Sequence, residues 1–227
     1  MELLSSFTNE DRIDLADSRR VGGPRMARVW AMPSADTFDI PPIGATVRRY
    51  LRAARVSVDP FARNKRWATH TNDLNPDTAA EHHLEAADFL ARLVQDGIRA
   101  DLALFDPPYS PRQTKEVYSG IGRRMMQEDV WLTHGWTRER DILDRLMPQD
   151  GIVISCGWNS QGMGKGRGYA LTELLIVCHG GGHNDTLVTV ERKLADQLPL
   201  PLGADFGFDF APNEEGESDT ELNTELE

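Results

Sequence analysis

The chain has 227 residues, enough for one ordinary domain with tails or for two small ones. Hydrophobic residues make up 40% and charged residues 27%, so a sizeable core is expected and wholesale disorder is excluded. Lys+Arg 25 stand against Asp+Glu 36, a formal net charge of −11. Taken whole, that balance argues against a polyanion partner, because affinity for nucleic acid leans on cations that neutralise phosphates.

The charge is unevenly spread. Residues 205–227 carry nine acids and no base, and without them 25 bases face 27 acids. The acidity therefore belongs mostly to the tail. Bases of the near-neutral body include Arg48, Arg49, Arg52, Arg63, Lys65 and Arg66. Only four bases are Lys, and Asp outnumbers Glu, a usage that resembles halophilic proteomes and that a GC-rich genome also produces. Cys156 and Cys178 make neither a disulfide framework nor a zinc pattern and read as inert buried thiols. Met1–Glu10 has no basic n-region or apolar h-region, and no apolar run nears the ~18 residues of a membrane span. A soluble, cytoplasmic protein is expected.

In chain order, residues 1–25 are polar, close on Gly22-Gly23-Pro24 and read as a mobile arm. Residues 26–200 read as one domain and 201–227 as a disordered acidic tail. Pro41-Pro42 opens a helix through Arg55, with Val47, Leu51 and Ala54 on one face. Val56–Val58 reads as a strand running into Asp59-Pro60-Phe61, and Trp67–Thr71 as a second short strand. Asn75-Pro76-Asp77 signals a helix start, and the period of Ala80, Leu84, Ala87, Leu90, Leu93 and Val94 predicts helix from Thr78 to Gln95. Asp101–Phe105 is a strand aimed at Asp106. Arg138–Leu146 is an amphipathic helix, Gly151–Cys156 a buried strand, and Leu171–Cys178 and Thr186–Glu191 two further strands around a His-Gly-Gly-Gly-His turn. His179, His183 and Asp185 lack further ligands at metal spacing, so a polar turn is expected there and no metal. Strands alternating with helices imply a parallel α/β sheet, and the last two strands an antiparallel hairpin at its edge. Ligands of such sheets sit beyond the carboxyl ends of the strands.

Leu102-Ala-Leu-Phe-Asp106-Pro107-Pro108-Tyr109 carries the most information. An apolar strand delivers an acid, two prolines and an aromatic to the ligand edge. Prolines donate no backbone hydrogen bond and fix φ. Their carbonyls are left free to accept from an amino group, and tyrosine offers a flat face. The stretch resembles the Asp-Pro-Pro-Tyr motif of S-adenosylmethionine-dependent amino-group methyltransferases, most often those modifying adenine N6 in DNA. The element order likewise matches the Rossmann-like, seven-stranded sheet of class I methyltransferases. The resemblance spans roughly residues 38–193, and small enzymes of phages and mobile elements share it. It implies S-adenosylmethionine as cofactor and DNA as partner. It also implies that Asp106 and Pro107 hold the amine, that Pro108 shapes the loop and that Tyr109 stacks on an extruded base.

Other stretches resemble further motifs of that family. Asp59-Pro60-Phe61-Ala62-Arg63-Asn64 is similar to the loop that cradles the cofactor's methionine, with Arg63 where its first glycine stands; the tight backbone approach that glycine permits is lost. Asp73 suits an acid that holds the ribose hydroxyls, although 14 residues after Asp59 leave room only for a turn between them. Asp88 resembles the acid that contacts adenine. The loop Trp158–Gly168, with four glycines, Lys165 and Arg167, reads as a nucleic-acid contact, and Arg123-Arg124 as another. About 40 residues follow Asp106 before the next strand, too few for a separate recognition domain, so a short target sequence, a specificity partner or a homodimer is expected. Cytosine N4, an RNA base, or a degenerate fold that only binds stay open as alternatives.

Overall fold

A computed structural model describes residues 23–123 and 136–194. The predicted tail of 201–227, most of the predicted arm and Arg124 lie outside them. One seven-stranded sheet organises the described residues: β1 (Arg25–Trp30), β2 (Ser57–Asp59), β3 (His70–Thr71), β4 (Leu102–Phe105), β5 (Ile152–Gly157), β6 (Tyr169–Cys178) and β7 (Thr186–Lys193). Their order is β1-β6-β7-β5-β4-β2-β3. β7 runs antiparallel to both β5 and β6, and the other pairs are parallel. This is a Rossmann-like α/β sheet with an antiparallel hairpin.

The hairpin is not at the edge of the sheet, as expected, because β1 pairs outside β6. All six residues of β1 are exposed, so no apolar alternation marks them as a strand. Among the described residues four α-helices flank the sheet: α1 (Pro41–Leu51), α2 (Ala86–Gln95), α3 (Pro111–Gly120) and α4 (Thr137–Leu146). α1 starts on prolines at its first two positions, whose missing N–H groups have no helical partner there. Its Ile43 and Val47 pack with Leu102, Leu104 and Ile154 on one face of the sheet. α2 and α4 bring Phe89, Leu90, Leu93, Leu143 and Leu146 to the other face, over Val58, Ala103, Phe105 and Val153. Full burial of each such side chain stabilises the fold by about 1.5–3 kcal/mol. The connection from β5 to β6 contains only a 3-10 turn at Lys165–Arg167. Leu174, Ile176 and Leu187, on the α2/α4 side, are therefore half-exposed, beside the exposed Met26 and Trp30.

The helix expected over Thr78–Gln95 begins only at Ala86. Asn72 causes the difference. Its side chain accepts from the Leu84 N–H at 2.9 Å and donates to the Leu84 carbonyl at 2.9 Å. The Thr71 hydroxyl accepts from Glu81 N–H at 3.0 Å. These bonds draw residues 81–84 alongside β3, where an Asn72–His82 parallel bridge stands. In a doubly wound 3-2-1-4-5 order, β3, β2, β4 and β5 occupy places 2, 1, 4 and 5. That bridge is all that remains of the third strand.

The His179 ring ties β1 to the hairpin. Its Nδ1 donates to the Ala31 carbonyl at 2.9 Å, and Nε2 lies 2.9 Å from the Thr186 hydroxyl.

Candidate active site

The carboxyl ends of β2, β3 and β4 open on a cleft of about 520 Å³, within the usual range for a small-molecule site. Its walls come from three loops. One is Pro60, Phe61, Arg63 and Asn64 after β2; the second is Asn72–Asn75 after β3; the third is Asp106–Tyr109 after β4. α3 closes the far side with Gln113 and Tyr118, and Trp136 stands at the start of α4.

Asp106, Pro107, Pro108 and Tyr109 thus face one space together. The Tyr109 hydroxyl donates to Asp106 Oδ1. Its backbone N–H donates to Gln113 Oε1 at 2.6 Å, and its ring meets Trp158 edge-on at 5.8 Å. Trp136 Nε1 donates to the Pro108 carbonyl at 3.2 Å. Among the described residues no donor reaches the Pro107 carbonyl, which stays available as an acceptor. Ser110 caps α3 by accepting from Gln113 N–H at 3.3 Å, with Pro111 at the first helical position. This Ser-Pro start fixes where Gln113 sits.

Burial pushes the Asp106 carboxyl above the usual aspartate range, and the hydrogen bond from Tyr109, the nearby Thr37 hydroxyl and the charge of Arg63 oppose that rise. The Tyr109 phenol is driven far up by burial and by Asp106 beside it, so it stays protonated and donates. Cys156, behind them, is held as a thiol by burial first and then by Asp106 and Asp59. This fits an inert cysteine. Cys178 is half-buried and its Sγ accepts from Arg28 Nε at 3.0 Å.

In the loop after β2, Arg63 has φ 50°, the left-handed backbone that glycine adopts without strain. The turn is kept without the glycine, at about 1 kcal/mol of strain. Arg63 N–H donates to Asp73 Oδ2 at 3.0 Å, and Asn75 N–H to Asp73 Oδ1 at 2.9 Å. Each Asp73 oxygen keeps a lone pair toward the cleft, which suits a vicinal diol. Asn64 Oδ1 accepts from Ala79 N–H at 3.1 Å. Phe61 joins the loops, edge-on to Phe105 at 5.4 Å and to Trp136 at 5.2 Å. An acid held from below, an aromatic wall and an amide at the rim fit a nucleoside bearing an amino-acid chain, as S-adenosylmethionine does.

Three residues expected to touch that cofactor do not face the cleft. Asp59 is fully buried; its Oδ1 accepts from Phe61 N–H at 3.0 Å, and its Oδ2 has no partner among the described residues. It shapes the loop from behind. Ala62 is buried, its N–H donating to the Asn72 carbonyl at 2.9 Å. Asp88 sits in the first turn of α2, exposed and 3.6 Å from Arg138, because Ala86, Ala87, Phe89 and Leu90 take the buried face.

Of the expected nucleic-acid contacts, the described Arg123, Lys165 and Arg167 do not themselves line the cleft. Arg123 pairs with Glu85 and lies over the Tyr118 ring at 4.5 Å. Arg167 pairs with Asp141 at 2.6 Å and donates to the Met163 carbonyl at 3.1 Å, and Lys165 is exposed on the 3-10 turn. Thr37, Gln113 and Trp136 were not legible as site residues. Only the Ser110-Pro111 helix start signals one of them, Gln113, in the sequence.

Burial raises the Asp59 carboxyl well above its ordinary value, helped by Asp106 and Asp73. The native state thus binds a proton that the unfolded chain has released, and stability falls as pH rises from about 4 through the raised native value. Asp59→Asn keeps the acceptor for Phe61 and removes the charge. Near-equal stability is expected at about pH 4, with a gain of ~1–3 kcal/mol once Asp59 would be ionised. Melting temperatures across pH check this; a pH-independent difference would refute it.

No family model and no curated protein matches the chain. Solved structures do. TrmN from Thermus thermophilus is 18% identical, with a TM-score of 0.43, over 68% of this chain and 49% of that one. NSun6 from Pyrococcus horikoshii with SFG is 13% identical, with a TM-score of 0.42, over 65% and 50%. Thermus thermophilus hypothetical protein TTHA0928 is 14% identical, with a TM-score of 0.40, over 74% and 95%. The chain thus spans about half the length of the first two.

Proposed function

We propose that the protein is an S-adenosylmethionine-dependent methyltransferase acting on the exocyclic amine of a nucleobase, adenine N6 in DNA before others. One observation carries this reading. The Asp106-Pro107-Pro108-Tyr109 wall shares a cleft with Asp73, Phe61 and Asn64, and among the described residues nothing donates to the Pro107 carbonyl in it.

S-adenosylmethionine, when bound, supplies a methyl group made electrophilic by its sulfonium. The protein's part is placement and charge. Asp106 retains lone pairs beyond those used by Tyr109, and with the Pro107 carbonyl it accepts the two hydrogens of an amine. Those two acceptors turn the nitrogen lone pair outward and stabilise positive charge as it develops there. The Tyr109 ring offers the base a face, with Trp158 closing behind it. Asp73 holds a ribose through the two oxygens that its backbone bonds leave open.

Two measurements test the reading. Nucleosides from DNA and RNA incubated with methyl-labelled S-adenosylmethionine are analysed by mass spectrometry. Label in N6-methyldeoxyadenosine from DNA is expected; label in N4-methyldeoxycytidine or only in RNA nucleosides replaces the acceptor, and no label refutes transfer to nucleic acid. In calorimetric titration, Asp73→Ala is expected to weaken S-adenosylmethionine binding by about 10–100-fold, a loss of ~1.5–3 kcal/mol for hydrogen bonds to a charged group. Unchanged binding would remove Asp73 from the site.

A further inference from the structure

A short strap before α1 lies against the Asp-Pro-Pro-Tyr wall, and no motif assigned it a role. Ser34 to Asp39 carries a 3-10 turn at Thr37–Asp39, and Ala35 and Thr37 line the cleft. The Thr37 hydroxyl lies 3.2 Å from the Tyr109 hydroxyl. Tyr109 has one proton, and it goes to Asp106. Thr37 therefore donates to the Tyr109 oxygen, forming a relay from Thr37 through Tyr109 to Asp106.

Two side chains of the loop after β2 hold the strap. The Arg63 guanidinium donates to the Ala35 carbonyl and pairs with Asp36 at 2.8 Å. Lys65 pairs with Asp39 at 2.5 Å. The residue standing where a glycine was expected thus turns its side chain to the strap while its backbone keeps the turn at Asp73.

We propose that this strap is a positioning element for the Asp106 acceptor, with Thr37 as the contact and Arg63 as the anchor. The proposal rests on the methyltransferase reading for its consequence, not for its geometry. A hydroxyl supplied by the strap steadies the carboxylate while Tyr109 turns its ring to a base. Arg63 couples that hydroxyl to the loop that meets the cofactor. Five further groups bear on the Asp106 charge. Burial apart, Arg63 and the Tyr109 hydroxyl favour it, Asp36 opposes it, and Asp59 and Cys156 sit close enough to feel it.

The test reads Asp106 directly, in the protein without cofactor. Its carboxyl resonance, in protein labelled with 13C-aspartate and identified by its loss in Asp106→Asn, is titrated with pH. In Thr37→Val the midpoint is expected to rise by about 1 pH unit; in Thr37→Ser, which keeps the hydroxyl, it stays at the wild-type value. Arg63→Ala is expected to raise it as well. A wild-type midpoint in Thr37→Val overturns the proposal, as does an equal rise in Thr37→Ser. In transfer assays Thr37→Val is expected to lower kcat on the order of tenfold at neutral pH, with KM for S-adenosylmethionine unchanged. The deficit should shrink as pH rises and Asp106 ionises without help. A shifted midpoint in a protein that transfers no methyl to any nucleic acid upholds the strap and overturns the function proposed above.

Discussion

Asp106→Ala is expected to lower methyl transfer by about 10²–10³-fold, the usual effect of removing one oriented group that stabilises charge at the reacting atom. Folding should be unaffected. The carboxyl is desolvated and its removal strands no partner charge, and the Tyr109 hydroxyl can keep Thr37 as a partner. Binding of S-adenosylmethionine should also survive, because Asp73, Asn64 and Phe61 sit on other loops. The measurement is transfer rate beside calorimetric binding on the same sample. Rate and binding lost together would mean that Asp106 holds the cleft's shape. An unchanged rate would remove it from the mechanism. In the wild type, activity should fail on the acid side at a pH above the ordinary aspartate range, since burial raises the Asp106 carboxyl.

Gly162→Ala should have the largest effect on stability. An added Cβ would land within the Glu191 carboxylate. Glu191 is buried on β7 and accepts from Met163 N–H at 2.5 Å and from Gly164 N–H at 2.9 Å. On the other side, Arg140 donates to the Gln161 carbonyl at 2.8 Å while its guanidinium lies over Phe105 at 5.4 Å. A methyl group must push the carboxylate off two buried N–H groups or shift the loop. Overpacking and lost hydrogen bonds together cost about 2–4 kcal/mol. That lowers the melting temperature of a domain this size by roughly 5–15 °C. Gly166→Ala, at an open position, serves as control, with an effect within about 0.5 kcal/mol. Equal melting temperatures for the two variants would show that Glu191 does not clamp the loop.

That clamp also changes what the glycines after β5 mean. Their number suggested close approach to a ligand. At Gly162 the close approach is to Glu191 of the protein's own sheet. Arg167 likewise serves Asp141 of α4 before any phosphate. Pattern cannot separate a glycine that clears a ligand from one that clears a buried carboxylate.

Some of the fold was legible because local chemistry and burial agree. Leu102–Phe105 is buried at every residue and ends on Asp-Pro-Pro, so strand and loop both read out. The later strands are long, apolar and bounded by glycine or polar turns. The second half of the helix predicted over Thr78–Gln95 holds its predicted face, with Ala87, Leu90 and Leu93 buried. Its first half does not, because Asn72 takes hold of Leu84 and tertiary hydrogen bonds outweigh the modest propensity of Thr78–Glu85 for helix. β1 and α3 escaped for the opposite reason. β1 is exposed throughout, and α3 buries only Thr114 and Tyr118, so neither carries a period to detect.

The sequence alone determined the sheet's central strands and the chemistry at two of their ends. An acid, two prolines and an aromatic after one apolar strand, and an Asp-Pro turn after another, are local facts that any packing must respect. Tertiary structure alone decided which acids face the cleft. Asp73 and Asp106 do, while Asp59 turns into the core and Asp88 to solvent. It also decided that Thr37, 69 residues before Asp106 in the chain, would stand beside it. Such choices depend on where helices begin and which loops meet across the sheet. Long-range packing sets those, and no window of sequence contains them.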